Sequence, residues 1–167
     1  MKLLTKQEIQ CYLNKHTFLD FWYMSKIYTL EKSWTSRISR YSLIAADALP
    51  QWRNSLDELC EQVYIDEGIL LRDALNNIKV PEFDDPSWES YEAARHSAIV
   101  HGNEIHFVYD GNDYWIAHTK QGLSHLSDNS GNTQIFPSCR VLFENARVDG
   151  KPLKDISVSY THLTLPT

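Results

Sequence analysis

The sequence predicts an α+β fold: a helical N-terminal part followed by a small antiparallel β-meander with one C-terminal helix. Three observations point to it. In the first half, apolar residues recur at helical spacings behind capping patterns. From Ala98 the period changes to alternation. Between the alternating runs Glu104–Tyr109 and Asp113–Thr119 sits Asp110-Gly111-Asn112, turn chemistry that supplies positive φ. The expected organisation is a helical region over 1–80, a linker and helix over 81–97, the hairpin, meander and helix over 98–156, and a non-native tail over 157–167.

Taken in order, Thr5-x-x-Glu8 is a capping-box pattern, and Ile9, Tyr12 and Leu13 behind it suit a first helix that breaks at His16-Thr17. Phe18, Phe21, Trp22, Ile27 and Leu30 then predict a second helix from about Phe18 to Ser33. Residues 35–47 stay ambiguous: Ile38, Tyr41 and Ala45 are spaced as in a helix, but the Ser and Thr content opposes one. Ser55-x-x-Glu58 is a second capping box before Leu56, Leu59, Cys60 and Val63. Gly68 interrupts a stripe that resumes at Ile69, so two consecutive helices or one kinked helix are expected. Val80–Pro86 reads as a linker, with Asp85-Pro86 as N-cap and first position of a helix bearing Trp88, Tyr91 and Arg95 and ending near Ser97.

In the central hairpin Ile105, Phe107, Tyr109, Tyr114 and Ile116 share one face, and His106, Val108, Trp115 and Ala117 the other. A loop at Asp110-Gly111 or at Gly111-Asn112 preserves these faces. Strands are expected at Leu123–Leu126 and Thr133–Phe136, then a helix from Pro137-Ser138 through Ala146 that Asp149-Gly150 closes.

With 167 residues, 43% hydrophobic and 12% aromatic, the chain can bury a self-sufficient core. Cys11, Cys60 and Cys139 are an odd, widely spaced set, which argues against a disulfide framework and for a reducing compartment. No apolar run approaches the ~18 residues of a membrane span, and Met1–Leu4 leads into polar residues rather than a secretory apolar region. A soluble, cytoplasmic protein with no membrane contact is expected.

The net charge of −6 hides an asymmetry. Residues 1–54 carry eight Lys/Arg against four Asp/Glu, whereas residues 55–100 carry three against eleven. The acidic middle supplies a candidate partner-binding surface: Asp57, Glu58, Glu61, Asp66, Glu67, Glu82, Asp84, Asp85, Glu89 and Glu92. Carboxylates so disposed could occupy a basic groove that otherwise holds nucleic acid. The plainer account is a solvated helix face with acidic first turns, which the macrodipole favours. In the basic third, Arg37, Arg40 and Arg53 interleave with aromatics and are candidate nucleic-acid contacts; the plainer account there is core aromatics beside a solvated cationic face.

Catalytic signals are weak. Five of the seven histidines lie between 96 and 125, but His106 and His118 fall on opposite hairpin faces and no metal-ligand spacing is present. There is no Gly-x-Ser-x-Gly elbow, Gly-rich phosphate loop, His-Glu-x-x-His or complete calcium loop. Neither an enzyme nor a cofactor nor a metal is expected.

Residues Phe107–Ile116, Leu126–Asp128, Gly131–Gln134 and Leu142–Ile156 together resemble a family of small uncharacterised proteins from bacterial mobile elements. The resemblance covers about residues 104–156 and none of the first half. It implies Trp-Asp after Ile156, where this chain instead has Val158–Thr167, a stretch that resembles a translated sequencing adapter. The resemblance brings no activity. Small acidic mobile-element proteins are often inhibitors, so the expectation is a non-enzymatic, anti-CRISPR-like protein, of phage or another mobile element, that blocks a Cas nuclease by protein–protein contact through its acidic surface. The alternatives are an immunity protein or antitoxin against a toxin, a nucleic-acid-binding accessory protein using the basic third, and a small enzyme with a fold-assembled site.

Overall fold

The computed structural model describes residues 4–34, 37–80, 89–156 and 160–163, and divides the chain into two units, Met1–Asp85 and Pro86–Thr167. Helices and antiparallel sheets occur in both, so the class is α+β. Each unit is built around its own buried apolar cluster.

In the N-terminal unit, α1 (Lys6–His16) opens on a complete capping box: the Thr5 hydroxyl accepts the Glu8 N–H and the Glu8 carboxylate accepts the Thr5 N–H. Thr5→Ala is expected to cost about 1 kcal/mol, read from chemical denaturation. Ile9 and Leu13 are the buried residues of α1, and the helix packs on β1 (Phe18–Tyr23) and β2 (Lys26–Trp34).

These two strands correct the helix expected over 18–33. Their register runs Leu19↔Leu30, Phe21↔Tyr28 and Tyr23↔Lys26, which leaves Met24-Ser25 as the turn with Met24 at φ 54°. Two features explain the error. Ile27, Tyr28, Thr29 and Leu30 are all buried, so β2 shows no alternation. The turn also lacks the Gly, Asn or Pro that normally announces one. Aromatic and β-branched content was the better guide. The ambiguous stretch becomes β3 (Ser39–Ala45), and β4 (Gln51–Arg53) completes a sheet of order β1-β2-β3-β4.

Ser55 caps α2 (Leu56–Gln62) through the Glu58 N–H, and Leu56, Leu59 and Cys60 face the core. Gly68 kinks no helix; helices do form on both sides of it, but two short strands come between them. It lies in the turn between β5 (Tyr64–Asp66) and β6 (Ile69–Leu70) at φ 72°, and only then does α3 (Leu71–Ala74) form. Most of the expected linker, Asp85-Pro86 included, lies outside the described residues.

In the C-terminal unit Ser90 caps α4 (Tyr91–Val100). The central hairpin pairs β7 (Glu104–Tyr109) with β8 (Asn112–His118), with Ile105↔Ile116 and Phe107↔Tyr114 on the buried face and His106↔Trp115 on the other. Asp110 at φ 49° and Gly111 at φ 78° form the two-residue loop, as a type I′ turn requires. Strand β9 (Ser124–Asp128) follows, then β10 (Thr133–Phe136) and α5 (Cys139–Asn145), which Ser138 caps. Asp149-Gly150 does not close that helix: both have positive φ and join β11 (Arg147–Val148) to β12 (Lys151–Pro152). Strand β13 (Tyr160–Leu163), within the stretch expected to be a non-native tail, pairs with β7 in a sheet of order β10-β9-β8-β7-β13. Tyr160 is buried against Phe107, and its hydroxyl donates to the Leu153 carbonyl.

Candidate functional site

The ten carboxylates singled out from the sequence fall into three groups. Asp57, Glu58, Glu61, Asp66 and Glu67 belong to the N-terminal unit, on α2 and the β5–β6 turn. Glu89 and Glu92 belong to the C-terminal unit, both exposed, with Glu92 reaching Arg95 at 4.0 Å. Glu82, Asp84 and Asp85 lie outside the described residues. The surface that can be described is therefore that of α2 and its neighbours.

Burial of Leu56, Leu59 and Cys60 turns Asp57 and Glu61 outward and leaves Glu58 half-buried. Glu58 accepts the Asn54 N–H, a local role at the helix start. Asp57 takes the Lys6 ammonium and holds that lysine's pKa above its ordinary value. Glu61 takes Arg72, whose pKa it raises likewise, and Arg72 also meets Asp73 at 3.3 Å. Local pattern carries no sign of these partners, since Lys6 and Asp57 are 51 positions apart. Asp73, absent from the expected set, joins it because α3 packs on α2. On α2 and its neighbours six carboxylates thus stand against three cations, Lys6, Arg72 and Arg53, the last held on Gln62 of α2, a net of −3, with Tyr64 (55% exposed) beside the C-terminus of α2.

The three arginines do not share one face. Ser42↔Trp52 and Tyr41↔Arg53 pairing puts Arg40 on the Trp52 face, and Arg53 on the opposite face with Tyr41. Arg37 and Arg40 are exposed, whereas Arg53 donates to Gln62 and to the Trp52 carbonyl. Lys32 is buried: its ammonium donates to Asn14 at 2.6 Å and lies 4.0 Å from the Trp34 ring centroid.

Among the histidines, His106 meets Asp113 at 2.7 Å and its ring lies 5.3 Å from Trp115 on the outer hairpin face. His118 points inward. Its Nε2 faces the Asn103 carbonyl at 3.2 Å and its Nδ1 faces the Ser124 hydroxyl at 3.0 Å. Because a carbonyl only accepts, Nε2 carries a proton and donates to Asn103, which leaves Nδ1 to pair with the Ser124 hydroxyl. Ser124 is 1% exposed, so this pair ties β8 to β9 and presents no hydroxyl to a substrate. Burial pushes the Cys60 thiol up to about 11 and Cys139 up to about 12, far from thiolate reactivity at neutral pH.

Asp128 organises the β9–β10 loop. It accepts the Asn132 side-chain amide at 2.8 Å and the backbone N–H groups of Asn132 and Ser130 at 2.9 Å, which hold its pKa below the ordinary carboxylate value. A depressed folded-state pKa contributes stability above the unfolded value, about 3.9, that is lost as pH falls through the folded one. Asp128→Asn is expected to lower the melting temperature at pH 7, with the gap to the parent closing below about pH 4.

Comparison with family models, with curated proteins and with solved structures finds no match. Among the described residues no helix is long and apolar enough to cross a membrane.

Proposed function

We propose that this chain is a non-enzymatic inhibitor that binds a basic, nucleic-acid-handling protein, in the first instance a nucleic-acid-guided Cas nuclease, through the acidic surface around α2. The observation that carries this reading is the unbalanced charge of that surface, six carboxylates against Lys6, Arg53 and Arg72. Capping accounts for part of it, because Asp57 and Glu58 occupy the first turn of α2. Glu61 is different: it sits in the last turn, where the macrodipole disfavours a carboxylate. The ion pairs to Lys6 and Arg72 are exposed, and such pairs contribute little net stability, so cations of a partner can replace them on docking. A groove that tracks a phosphate backbone supplies those cations, and exposed Tyr64 supplies an aromatic anchor of the kind that dominates protein interfaces.

The test is target-DNA cleavage by a panel of guided nucleases with the protein in excess, beside affinity capture from bacterial lysate. Loss of cleavage by one nuclease, and capture of that nuclease, is the expected result. Unaffected cleavage across the panel with capture of a toxin would overturn it in favour of an immunity protein.

A further inference from the structure

The C-terminal sheet ends on β10, and among the described residues no strand pairs with the side of β10 that faces away from β9. The register fixes which groups that side presents. The Asp128 N–H donates to the Asn132 carbonyl at 3.0 Å, and the ladder runs on through Thr133↔Ser127, Gln134↔Leu126, Ile135↔His125 and Phe136↔Ser124 without a bulge. Opposed residues of an antiparallel pair alternate between bonded and non-bonded, so Asn132, Gln134 and Phe136 are the ones that bond to β9. Thr133 and Ile135 therefore turn their N–H and C=O groups to the open side. Both are exposed, Ile135 by 67%. Sheet edges are normally guarded against pairing by a charge, a bulge or a proline. Strand β10 has none of these within it. Between Lys120 and Arg140 the one formally charged residue is Asp128, whose carboxylate is taken up by Asn132 and Ser130 in its own loop.

We propose that β10 pairs with β10 of a second copy of this chain, antiparallel about a two-fold axis at Gln134, so that one sheet runs through both copies. Thr133 of each copy then faces Ile135 of the other, and each such pair exchanges two N–H···O=C bonds. This register alone satisfies both outward residues of both copies. Pro137, the next residue in that orientation, has no N–H and ends the pairing. Charge selects a second copy as the occupant. Two chains of net −6 repel each other on most approaches. A two-fold contact sets each patch against itself, which requires a patch without net charge. The β10 edge meets that condition, and it brings the two exposed Ile135 side chains diagonally together on one face. The contact uses neither α2 nor its carboxylates, so it stands apart from the inhibitor reading.

The probe is the full chain itself, followed by sedimentation equilibrium from about 10 to 500 µM. The average mass is expected to rise with concentration from that of one chain toward that of two. Ile135→Lys sets two cations against each other at the axis, and Thr133→Pro removes an N–H that β9 does not use; each is expected to weaken association at least about tenfold. Both positions are exposed, so circular dichroism and melting temperature should match the parent. Opposed residues of a non-bonded pair stand about 4.5 Å apart, within disulfide reach. With exposed Cys11 replaced by Ser, Gln134→Cys should therefore give a disulfide-linked dimer under oxidised glutathione, and Ser130→Cys should not. The mass of one chain across the whole range would overturn the proposal. So would a dimer that survives both edge variants, or one that Gln134→Cys fails to lock.

Discussion

Phe21→Ala is expected to destabilise the N-terminal unit by about 3–5 kcal/mol, a large fraction of the 5–15 kcal/mol that holds a typical domain together. Phe21 is fully buried at the middle of β1, its ring 5.9 Å from Tyr28 directly across the ladder. Removing the ring loses both the transfer free energy of its apolar surface and the contacts of the side chains left lining a cavity. The residue belongs to the cluster that joins α1, the sheet, α2 and α3, so the loss falls on the whole unit rather than on one hairpin. Equilibrium denaturation reads it directly. A cost below about 1 kcal/mol would mean that the β1–β2 pairing is wrong.

The second large effect concerns binding. Reversing Asp57, Glu58 and Glu61 together to lysine changes the α2 surface by six charge units, from a net of −3 to +3. Inhibition of a sensitive nuclease is expected to disappear, since like charges brought together across an interface cost several kcal/mol. The fold should survive. Asp57 and Glu61 are exposed and their ion pairs are weak, although the two first-turn carboxylates are worth about 0.3–1 kcal/mol each to the helix. A neutral set, Asp57→Asn with Glu61→Gln, should weaken inhibition less while leaving the melting temperature nearly unchanged, which separates loss of charge from loss of structure.

The parts of the fold legible from sequence are those announced locally. Thr5-x-x-Glu8 and Ser55-x-x-Glu58 marked two helix starts because a capping side chain must sit next to the donor it satisfies. Asp110-Gly111 marked the central hairpin because few residues adopt two positive φ angles in succession. The β1–β2 hairpin was hidden for the converse reason: nothing near Met24-Ser25 declares a turn, and burial on both faces erased the period of β2. Gly68 and Gly150 were noticed but misread, since a glycine at positive φ ends a helix and turns a hairpin equally well. For the acidic surface, the outward positions on α2 followed from its apolar stripe. The partners Lys6 and Arg72 did not, because pairing across elements depends on a topology that was itself misread.

The central claim, that α2 is the contact surface, is tested most directly by hydrogen exchange on the protein alone and bound to its captured partner. New protection is expected over Leu56–Gln62 and the adjoining β5–β6 turn. Protection confined to the C-terminal unit or to the β2–β3 end, with α2 exchanging as in the free protein, would contradict it.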